Sequence, residues 1–328
     1  MLILDHITAS YKMLDGDIVA VDDISLDIED NEIFGIAGES GCGKSTLLKV
    51  IYDIIEFPLQ IDKGTVILSG IKNGAPFSYS TGEISKSWWS HISYIPQAAM
   101  SVLNPISRLK NQFLDSIPDE AKKKNGQDKF LREITQYLVD LNLSPDILES
   151  YPFQLSGGMR QRCIIALATF MQPKPDVVLA DEPTTALDVV VQRGILMMLT
   201  KLQRQYKNTM ILVSHDLGVH YQISDRMAIM YSGRLMEVGK TSDIFTNPQH
   251  PYTQLLINAL PRVGDKSVRA GIAGKPPSLK SPPPGCRFAD RCPRALDICH
   301  RAVPEYREIM SGRFTACHIL NERGANSG

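Results

Sequence analysis

Short apolar runs recur along the chain, and each is followed by a glycine or a polar residue. Residues 33–37 (Ile-Phe-Gly-Ile-Ala), 177–180 (Val-Val-Leu-Ala) and 210–213 (Met-Ile-Leu-Val) contain no polar side chain. Runs of this length are typical of buried strands, because a helix needs a longer segment. A helical pattern over residues 46–52 follows the first run. This alternation of strands and helices predicts an α/β core.

A different pattern fills the middle of the chain. Apolar side chains recur at helical spacing and predict one amphipathic helix that ends before Pro145. We interpret them as the core of a helical subdomain. They are Phe130, Ile134, Tyr137, Leu138 and Leu141.

The first predicted strand leads into Gly-Glu-Ser-Gly-Cys-Gly-Lys-Ser at residues 38–45, which satisfies the pattern G-x-x-x-x-G-K-[ST]. Glycines let the backbone turn its N–H groups inward, and the N-terminus of the following helix adds partial positive charge. The segment is therefore predicted to bind phosphate groups. We expect Lys44 to reach the β- and γ-phosphates of a nucleotide and the Ser45 hydroxyl to coordinate Mg²⁺.

Two acidic residues follow the second apolar run. Asp181 ends that strand, so we expect its carboxylate to approach the Mg²⁺ ion from the side opposite the phosphate loop. Glu182 is the next residue. About twenty positions earlier, residues 155–162 read Leu-Ser-Gly-Gly-Met-Arg-Gln-Arg.

This order of phosphate loop, Ser-Gly-Gly signature and acidic pair resembles the ATP-binding cassette (ABC) ATPases. The resemblance implies an α/β fold with a P-loop NTPase (RecA-like) core, an antiparallel β subdomain, an inserted helical subdomain and a small Cys-rich C-terminal extension. Early strands such as residues 64–68 suit the antiparallel subdomain. Met159 stands where the family most often has glutamine.

The same resemblance implies roles for individual residues. Glu182 is the expected catalytic carboxylate, which positions the water that attacks the γ-phosphate. His215 matches the switch histidine, and Gln97 matches the glutamine that senses Mg²⁺ and the attacking water. The expected Mg²⁺ ligands are Ser45, Gln97 and Asp181. The expected ATP contacts are Tyr11, Gly38, Ser40, Gly41, Cys42, Gly43, Lys44, Ser45, Thr46, Ser156, Gly157, Gly158 and Asp188, with Tyr11 stacking on adenine.

One cassette is not expected to work alone. By resemblance, residues 156–158 lie at a helix N-terminus that binds the γ-phosphate held by a second subunit. Each ATP would then lie between two cassettes, and hydrolysis would require a dimer. The segment that ends at Asp188 matches the family's D-loop, which crosses to that partner.

Residues beyond 240 narrow the resemblance to one branch of the family, which the ATP motifs do not. Residues 244–253 (Ile-Phe-Thr-Asn-Pro-Gln-His-Pro-Tyr-Thr) resemble a segment of the dipeptide and oligopeptide importer ATPases. The resemblance divides the chain into an ATPase domain at 1–240 and a C-terminal extension at 241–328. Within the ATPase domain, residues 1–98 and 158–240 would form the catalytic core with its β subdomain, and residues 99–157 the helical subdomain.

Four of the six cysteines lie in this extension, at Cys286, Cys292, Cys299 and Cys317. Clustered thiols in a reducing compartment indicate a metal before a disulfide. The spacing fits neither a ferredoxin run nor a paired zinc ribbon. The resemblance to the importer branch favours a [4Fe-4S] cluster over Zn²⁺, with free thiols as the third alternative. Its expected role is to clamp the tail, and redox or iron sensing is the alternative.

Net charge and hydropathy argue against nucleic-acid binding and against a membrane-spanning segment. The 328 residues carry a net charge of −1, which gives no electrostatic case for nucleic acid. No apolar run approaches the roughly eighteen residues that span a bilayer. The resemblance to the importer ATPases implies a peripheral protein on the cytoplasmic face of the membrane, bound to two transmembrane permease subunits and, through them, to an external substrate-binding protein.

The function expected from these observations is ATP hydrolysis that powers import of dipeptides or oligopeptides. Three alternatives remain open: an importer of nickel or another small solute, a soluble non-transport ABC ATPase, and a redox-sensing metal protein. The first has the same chemistry, because an ATPase subunit does not touch the cargo. The intact motif residues argue against the last, which would have a degenerate nucleotide site.

Overall fold

The computed structural model describes residues 1–72, 74–88, 90–97, 102–171, 173–260 and 271–325. The chain forms two compact units. The first unit comprises Met1–Glu29, Ile33–Ile84 and Val213–Gly328, and the second comprises Asp30–Glu32 and Ser85–Leu212. The boundary predicted between residues 98 and 99 lies outside the described residues.

Strands and helices are numbered here along the chain. The strands are β1 Leu2–Tyr11, β2 Ile18–Ile28, β3 Ile33–Ala37, β4 Leu59–Lys72, β5 Ala75–Ser80, β6 Ile92–Ile95, β7 Val177–Asp181, β8 Thr209–Val213, β9 Arg226–Tyr231, β10 Arg234–Lys240, β11 Tyr306–Met310 and β12 Arg313–Ala316. The helices are α1 Lys44–Ile51, α2 Leu109–Asp115, α3 Asp119–Asn125, α4 Gln127–Asp140, α5 Gly157–Phe170, α6 Val189–Tyr206, α7 Leu217–Ile223, α8 Thr241–Thr246, α9 Pro251–Asn258 and α10 His318–Ala325.

The first unit contains an antiparallel sheet with the strand order β2-β1-β4-β5. Leu2 and Leu4 of β1 are buried and lie opposite Leu68 and Val66 of β4. Side chains alternate between the two faces of a strand, so one apolar face packs inward while the other carries polar residues. The strand predicted over residues 64–68 is confirmed as part of β4.

The first unit also contains β3, which is buried along its whole length and pairs in parallel with β9. Strand β9 pairs with β10, β10 with β12, and β12 with β11, all antiparallel. A strand covered on both faces needs apolar side chains at successive positions, which explains the unbroken run at 33–37. The last two strands come from the end of the chain, so the C-terminal region extends a sheet that begins near the N-terminus.

The second unit places β6 and β7 side by side in parallel, with β8 next to β7. The amphipathic helix predicted in the middle of the chain is confirmed as α4. Phe130, Ile134, Tyr137 and Leu138 are its buried side chains. The ring of Tyr137 lies 5.3 Å from that of Phe170 on α5, measured between centroids. Aromatic packing therefore joins these two helices.

Across the described ranges, no helix combines the length and the apolar character needed to cross a bilayer.

Candidate functional site

The phosphate loop connects β3 to α1, as the motif predicts. Gly38 has φ +154°, and a Cβ there would lie 2.1 Å from the carbonyl oxygen of Met230. Gly43 has φ +104°, and its Cβ would lie 2.0 Å from the carbonyl oxygen of Ala20. Only glycine fits such close backbone approaches at positive φ. The loop shape is therefore fixed by neighbouring strands as well as by its own sequence.

Lys44 is the first residue of α1 and is 6 % exposed. Its ammonium group donates hydrogen bonds to the carbonyl oxygens of Gly38 at 2.8 Å and Glu39 at 3.0 Å. The amide of Gly233 in the turn between β9 and β10 donates to the carbonyl of Cys42 at 2.9 Å. The cation is thus held inside the loop, where an anion would meet it.

Tyr11 is the last residue of β1. Its hydroxyl lies 3.1 Å from that of Thr46 in α1. This contact brings the expected adenine-stacking ring to the helix that follows the phosphate loop. Ser40 and Gly41 are exposed within the loop, and the Ser45 side chain is half-buried.

The acidic pair lies at the end of β7 in the second unit. Asp181 is 2 % exposed and accepts a hydrogen bond from the hydroxyl of Tyr94 on β6 at 3.1 Å. Glu182 is 8 % exposed and has φ +49°, an unusual conformation for a residue with a side chain. The Thr185 hydroxyl donates to the Glu182 carboxylate at 2.7 Å. Together these contacts fix the direction of both carboxylates.

Two more of the expected residues follow strand ends. Gln97 is exposed two positions beyond β6. It therefore lies at the same carboxyl edge of the parallel β6–β7 pair as the acidic residues. His215 is exposed two positions beyond β8, and Asp216 caps α7 by accepting the Gly218 amide at 2.8 Å.

The Ser-Gly-Gly signature begins α5. The Ser156 hydroxyl is exposed and accepts the Met159 amide at 3.3 Å, as a helix N-cap does. A Cβ on Gly158 would lie 2.7 Å from a methyl group of Val191 on α6. Asp188 caps α6 by accepting the amides of Val190 and Val191. The second unit therefore brings the signature and the D-loop segment together.

Comparisons with known proteins agree with this arrangement. A family model described as ABC transporter matches residues 21–185, and one described as Oligopeptide/dipeptide transporter, C-terminal region, matches residues 236–299. The chain belongs to the ABC transporter family. It is 37 % identical to the dipeptide transport ATP-binding protein DppD of Caldanaerobacter subterraneus, over 97 % of each chain. It is 35 % identical to the oligopeptide transport ATP-binding protein OppD of Salmonella typhimurium, over 97 % of this chain and 93 % of that one.

Solved structures extend the comparison to the fold of this ABC protein. The dimeric structure of the bacterial ABC transporter cassette MJ0796 has a TM-score of 0.59 at 27 % identity. It covers 74 % of this chain and 99 % of that one. A post-hydrolysis state of the same cassette, bound to ADP and Pi, has a TM-score of 0.57 at 26 % identity. These findings confirm the expected α/β fold with a P-loop NTPase core and the assignment as an ATPase.

The four cysteines of the C-terminal region of this ABC protein lie close enough to interact electrostatically. Burial raises the pKa of the Cys286 thiol to about 12 and also raises those of Cys292 and Cys317. The Cys299 sulfur accepts the backbone N–H of Leu296 at 3.4 Å. Neighbouring backbone N–H groups oppose the rise in pKa at Cys286, Cys292 and Cys317 only in part.

A metal ion needs ligands that converge. Within the described residues, no three His, Cys, Asp or Glu side chains form a group that could hold one. A tetrahedral zinc site requires sulfur atoms that all lie about 2.3 Å from one point. The placed thiols therefore do not fit a single zinc ion.

A buried polar network that joins β10 to the C-terminal region was not predicted from the sequence. Glu237 on β10 is fully buried and accepts the amides of Gln249 and His250, each at 2.9 Å. It also accepts a hydrogen bond from the Arg313 guanidinium at 2.7 Å. Part of this network was signalled in the sequence, because Gln249 and His250 lie in residues 244–253, the segment that resembles the peptide-importer ATPases. No local pattern identified Glu237 or Arg313.

Proposed function

We propose that this protein is the ATP-hydrolysing subunit of an importer of dipeptides or oligopeptides. The observation that carries the proposal is the match of residues 236–299 to the oligopeptide/dipeptide transporter C-terminal region. It occurs in the same chain as the ABC transporter match. Relatives named for dipeptide and oligopeptide transport align over nearly the whole length of this chain.

The phosphate loop is proposed to bind the ATP phosphates. Support comes from the buried Lys44 ammonium, from the glycines that bring the backbone close, and from the start of α1 at that point. Ser45 is the proposed Mg²⁺ ligand on this side, and Tyr11 the proposed adenine-stacking ring. The other expected contacts, Gly38, Ser40, Gly41, Cys42, Gly43 and Thr46, lie within the same loop and the start of its helix.

Hydrolysis is proposed to use the acidic pair of the second unit. Asp181 would supply a carboxylate to Mg²⁺, with Gln97 as a further ligand, and Glu182 would orient the attacking water. The Thr185 hydrogen bond at 2.7 Å supports this role, because it fixes the Glu182 carboxylate before the reaction. His215 would contact the γ-phosphate, and this contact would exist only while ATP is intact.

A second cassette is the proposed partner at the signature segment. Ser156 caps α5, which begins at Gly157 and Gly158, and these residues are exposed or half-buried. A helix N-terminus attracts phosphate. Asp188 would lie at the same dimer interface. Two permease subunits, and through them an external binding protein, would complete a transporter that places this chain at the cytoplasmic face of the membrane.

The proposed division of the chain places the ATPase domain at 1–240 and the extension at 241–328. We further propose that Cys286, Cys292, Cys299 and Cys317 hold a [4Fe-4S] cluster that stabilises this extension. The grouping of the four cysteines supports it, because each thiol lies within electrostatic range of at least one other. Anaerobic purification should yield about four iron and four sulfide per chain. Stoichiometric zinc, or no metal, would contradict the cluster.

Uptake in cells tests the transport proposal. In a strain of the source organism without this gene, the wild-type chain should restore uptake of a labelled dipeptide. Lys44→Ala, produced at the same level, should not restore it, because the loop loses the cation that meets the phosphates. Nickel uptake is the matched control. Restored nickel uptake without dipeptide uptake would assign the chain to a small-solute importer instead.

A further inference from the structure

Glu39 of the phosphate loop contacts the C-terminal region at two points and the loop itself through its carbonyl group. Its amide donates to the Tyr252 hydroxyl on α9 at 3.3 Å. Its carboxylate accepts a hydrogen bond from the Arg291 guanidinium at 3.0 Å. Its carbonyl accepts the Lys44 ammonium at 3.0 Å and the Cys42 amide at 3.3 Å. The residue that holds Lys44 is therefore itself held by residues from the far end of the chain.

Arg291 is held as firmly as Glu39. Its guanidinium also donates to the hydroxyl of Tyr231 at 2.9 Å and to the carbonyls of Ala273 at 2.9 Å and Ile272 at 3.1 Å. The side chain is only 7 % exposed, against 25 % for Glu39. It lies over the ring of Tyr231, 5.6 Å from the centroid. An ion pair with this little solvent is stronger and more directional than one on the surface.

Tyr252 is fixed from its other side by α9. The His250 imidazole is fully buried, and burial lowers its pKa to about 3, so the ring is neutral. Its Nδ1 atom accepts the Tyr252 amide at 3.0 Å. The rings of Tyr252 and Tyr231 lie 4.6 Å apart. The hydroxyl that meets Glu39 therefore belongs to a rigid part of the unit.

From these contacts we infer that Arg291 is a positioning residue for ATP binding, which acts on Lys44 through Glu39. The inference rests on the proposed function, since it takes Lys44 as the phosphate ligand. The C-terminal region then belongs to the nucleotide site, although it supplies no atom to the nucleotide. A loop that is held in its binding shape loses less conformational freedom when ATP binds.

A double-mutant cycle on the full-length protein tests this inference. The dissociation constant for Mg·ATP is measured for wild type, Arg291→Gln, Glu39→Ala and the double variant. Each single change should weaken binding about fivefold, because either one frees the loop from its anchor. If Arg291 acts through Glu39, the double variant should bind no more weakly than Glu39→Ala.

Two further variants separate positioning from a general loss of structure. Arg294→Gln is the matched control, because Arg294 bonds to Gln254 at 3.1 Å and lies in the same segment. It should bind Mg·ATP as the wild type does. Tyr252→Phe removes only the hydroxyl that receives the Glu39 amide, and should weaken binding about twofold while the melting temperature stays close to that of the wild type.

Independent, additive effects in the cycle would overturn the inference, as would unchanged binding in Arg291→Gln. If Arg291→Gln does not fold, unchanged binding in Tyr252→Phe would also overturn it. Failure of the proposed function has a different signature. In that case the wild-type protein would not bind Mg·ATP, or Lys44→Ala would bind it equally well.

Discussion

Different kinds of contact stabilise the interior of each of the two compact units. The first unit joins segments from both ends of the chain through buried charges. Glu237 pairs with Arg313, and Asp22 accepts hydrogen bonds from both Arg234 and Arg287. In the second unit, aromatic side chains from separate helices gather around one lysine, Lys174.

Lys174 shows how aromatic rings of the second unit surround a charge. Its ammonium nitrogen lies 4.4 Å from the ring centroid of Tyr137, 4.6 Å from that of Phe170 and 4.8 Å from that of Tyr206. Cation–π attraction and a carbonyl contact to Thr169 at 3.4 Å partly replace its hydration. The hydrogen-bonded ion pairs of the first unit fix the orientation of their side chains. The rings around Lys174 pack against its ammonium group without fixing one orientation.

The difference bears on the proposed function, which assigns different parts of the reaction to the two units. The first unit holds Lys44, the proposed phosphate ligand, so its directional network would bear on where the phosphates bind. The second unit holds the acidic pair, whose direction is fixed locally by Thr185 and Tyr94. ATP binding should therefore depend on residues far from Lys44 in the sequence, while ATP turnover should depend on residues close to the acidic pair. Three changes test this comparison.

The largest effect is expected at Glu182. The variant Glu182→Gln should lower ATP turnover about a thousandfold and leave the Mg·ATP dissociation constant within about twofold of the wild-type value. An amide keeps the shape of the side chain but orients and polarises water poorly. Steady-state phosphate release and equilibrium nucleotide binding should be measured on the assembled transporter. Wild-type turnover in this variant would remove Glu182 from its role.

Sequence alone predicted the parts whose chemistry follows from local spacing. Residues 38–45 carry a complete phosphate-binding pattern, and the run at 177–180 is confirmed as the strand β7 that ends in Asp181. Helix α4 was readable because its buried residues repeat at helical spacing. In each case the physical cause lies within a few residues of the feature. Short-range sequence patterns record such causes directly.

The anchors of the phosphate loop could not be predicted in this way. Glu39 and Arg291 lie 252 positions apart, and neither has a local signal that names the other as its partner. Glu237 appears in the sequence as an ordinary charged residue of a strand, although it is completely buried. Pairing of this kind depends on the tertiary fold, so it became visible only in the structure.

An intermediate effect is expected when the buried charge network of the first unit is broken. Glu237→Ala leaves Arg313 buried without its carboxylate, and the amides of Gln249 and His250 without their acceptor. We expect a loss of about 3 kcal/mol in the free energy of unfolding, measured by urea denaturation. The matched control is Glu149→Ala, which removes the exposed partner of Arg108 and should have no measurable effect. Equal midpoints for the two variants would contradict a structural role for the network.

The smallest effect is a pH dependence that belongs to the second unit. Burial lowers the pKa of Lys174 to about 8 from its ordinary value of 10.5, and the charge of Glu133 opposes this shift only in part. Between these pH values the unfolded chain holds the Lys174 proton and the folded chain releases it. Because the unfolded state binds more protons there, this group makes the free energy of unfolding rise with pH. The slope from one proton is at most about 1.4 kcal/mol per pH unit.

Between pH 8 and 10 the free energy of unfolding should therefore rise less steeply with pH in Lys174→Met than in the wild type. Urea denaturation at several pH values in this interval, with the difference taken between the two proteins, isolates the contribution of Lys174 from that of every other titrating group. Lys110→Met, which alters an exposed ion pair with Glu149, is the control and should run parallel to the wild type. If Lys174→Met also ran parallel, the lysine would keep its proton within the aromatic cluster. The surroundings of Lys174 would then replace its hydration as effectively as the carboxylates of the first unit do for their arginines, and the contrast between the two units would be one of geometry alone.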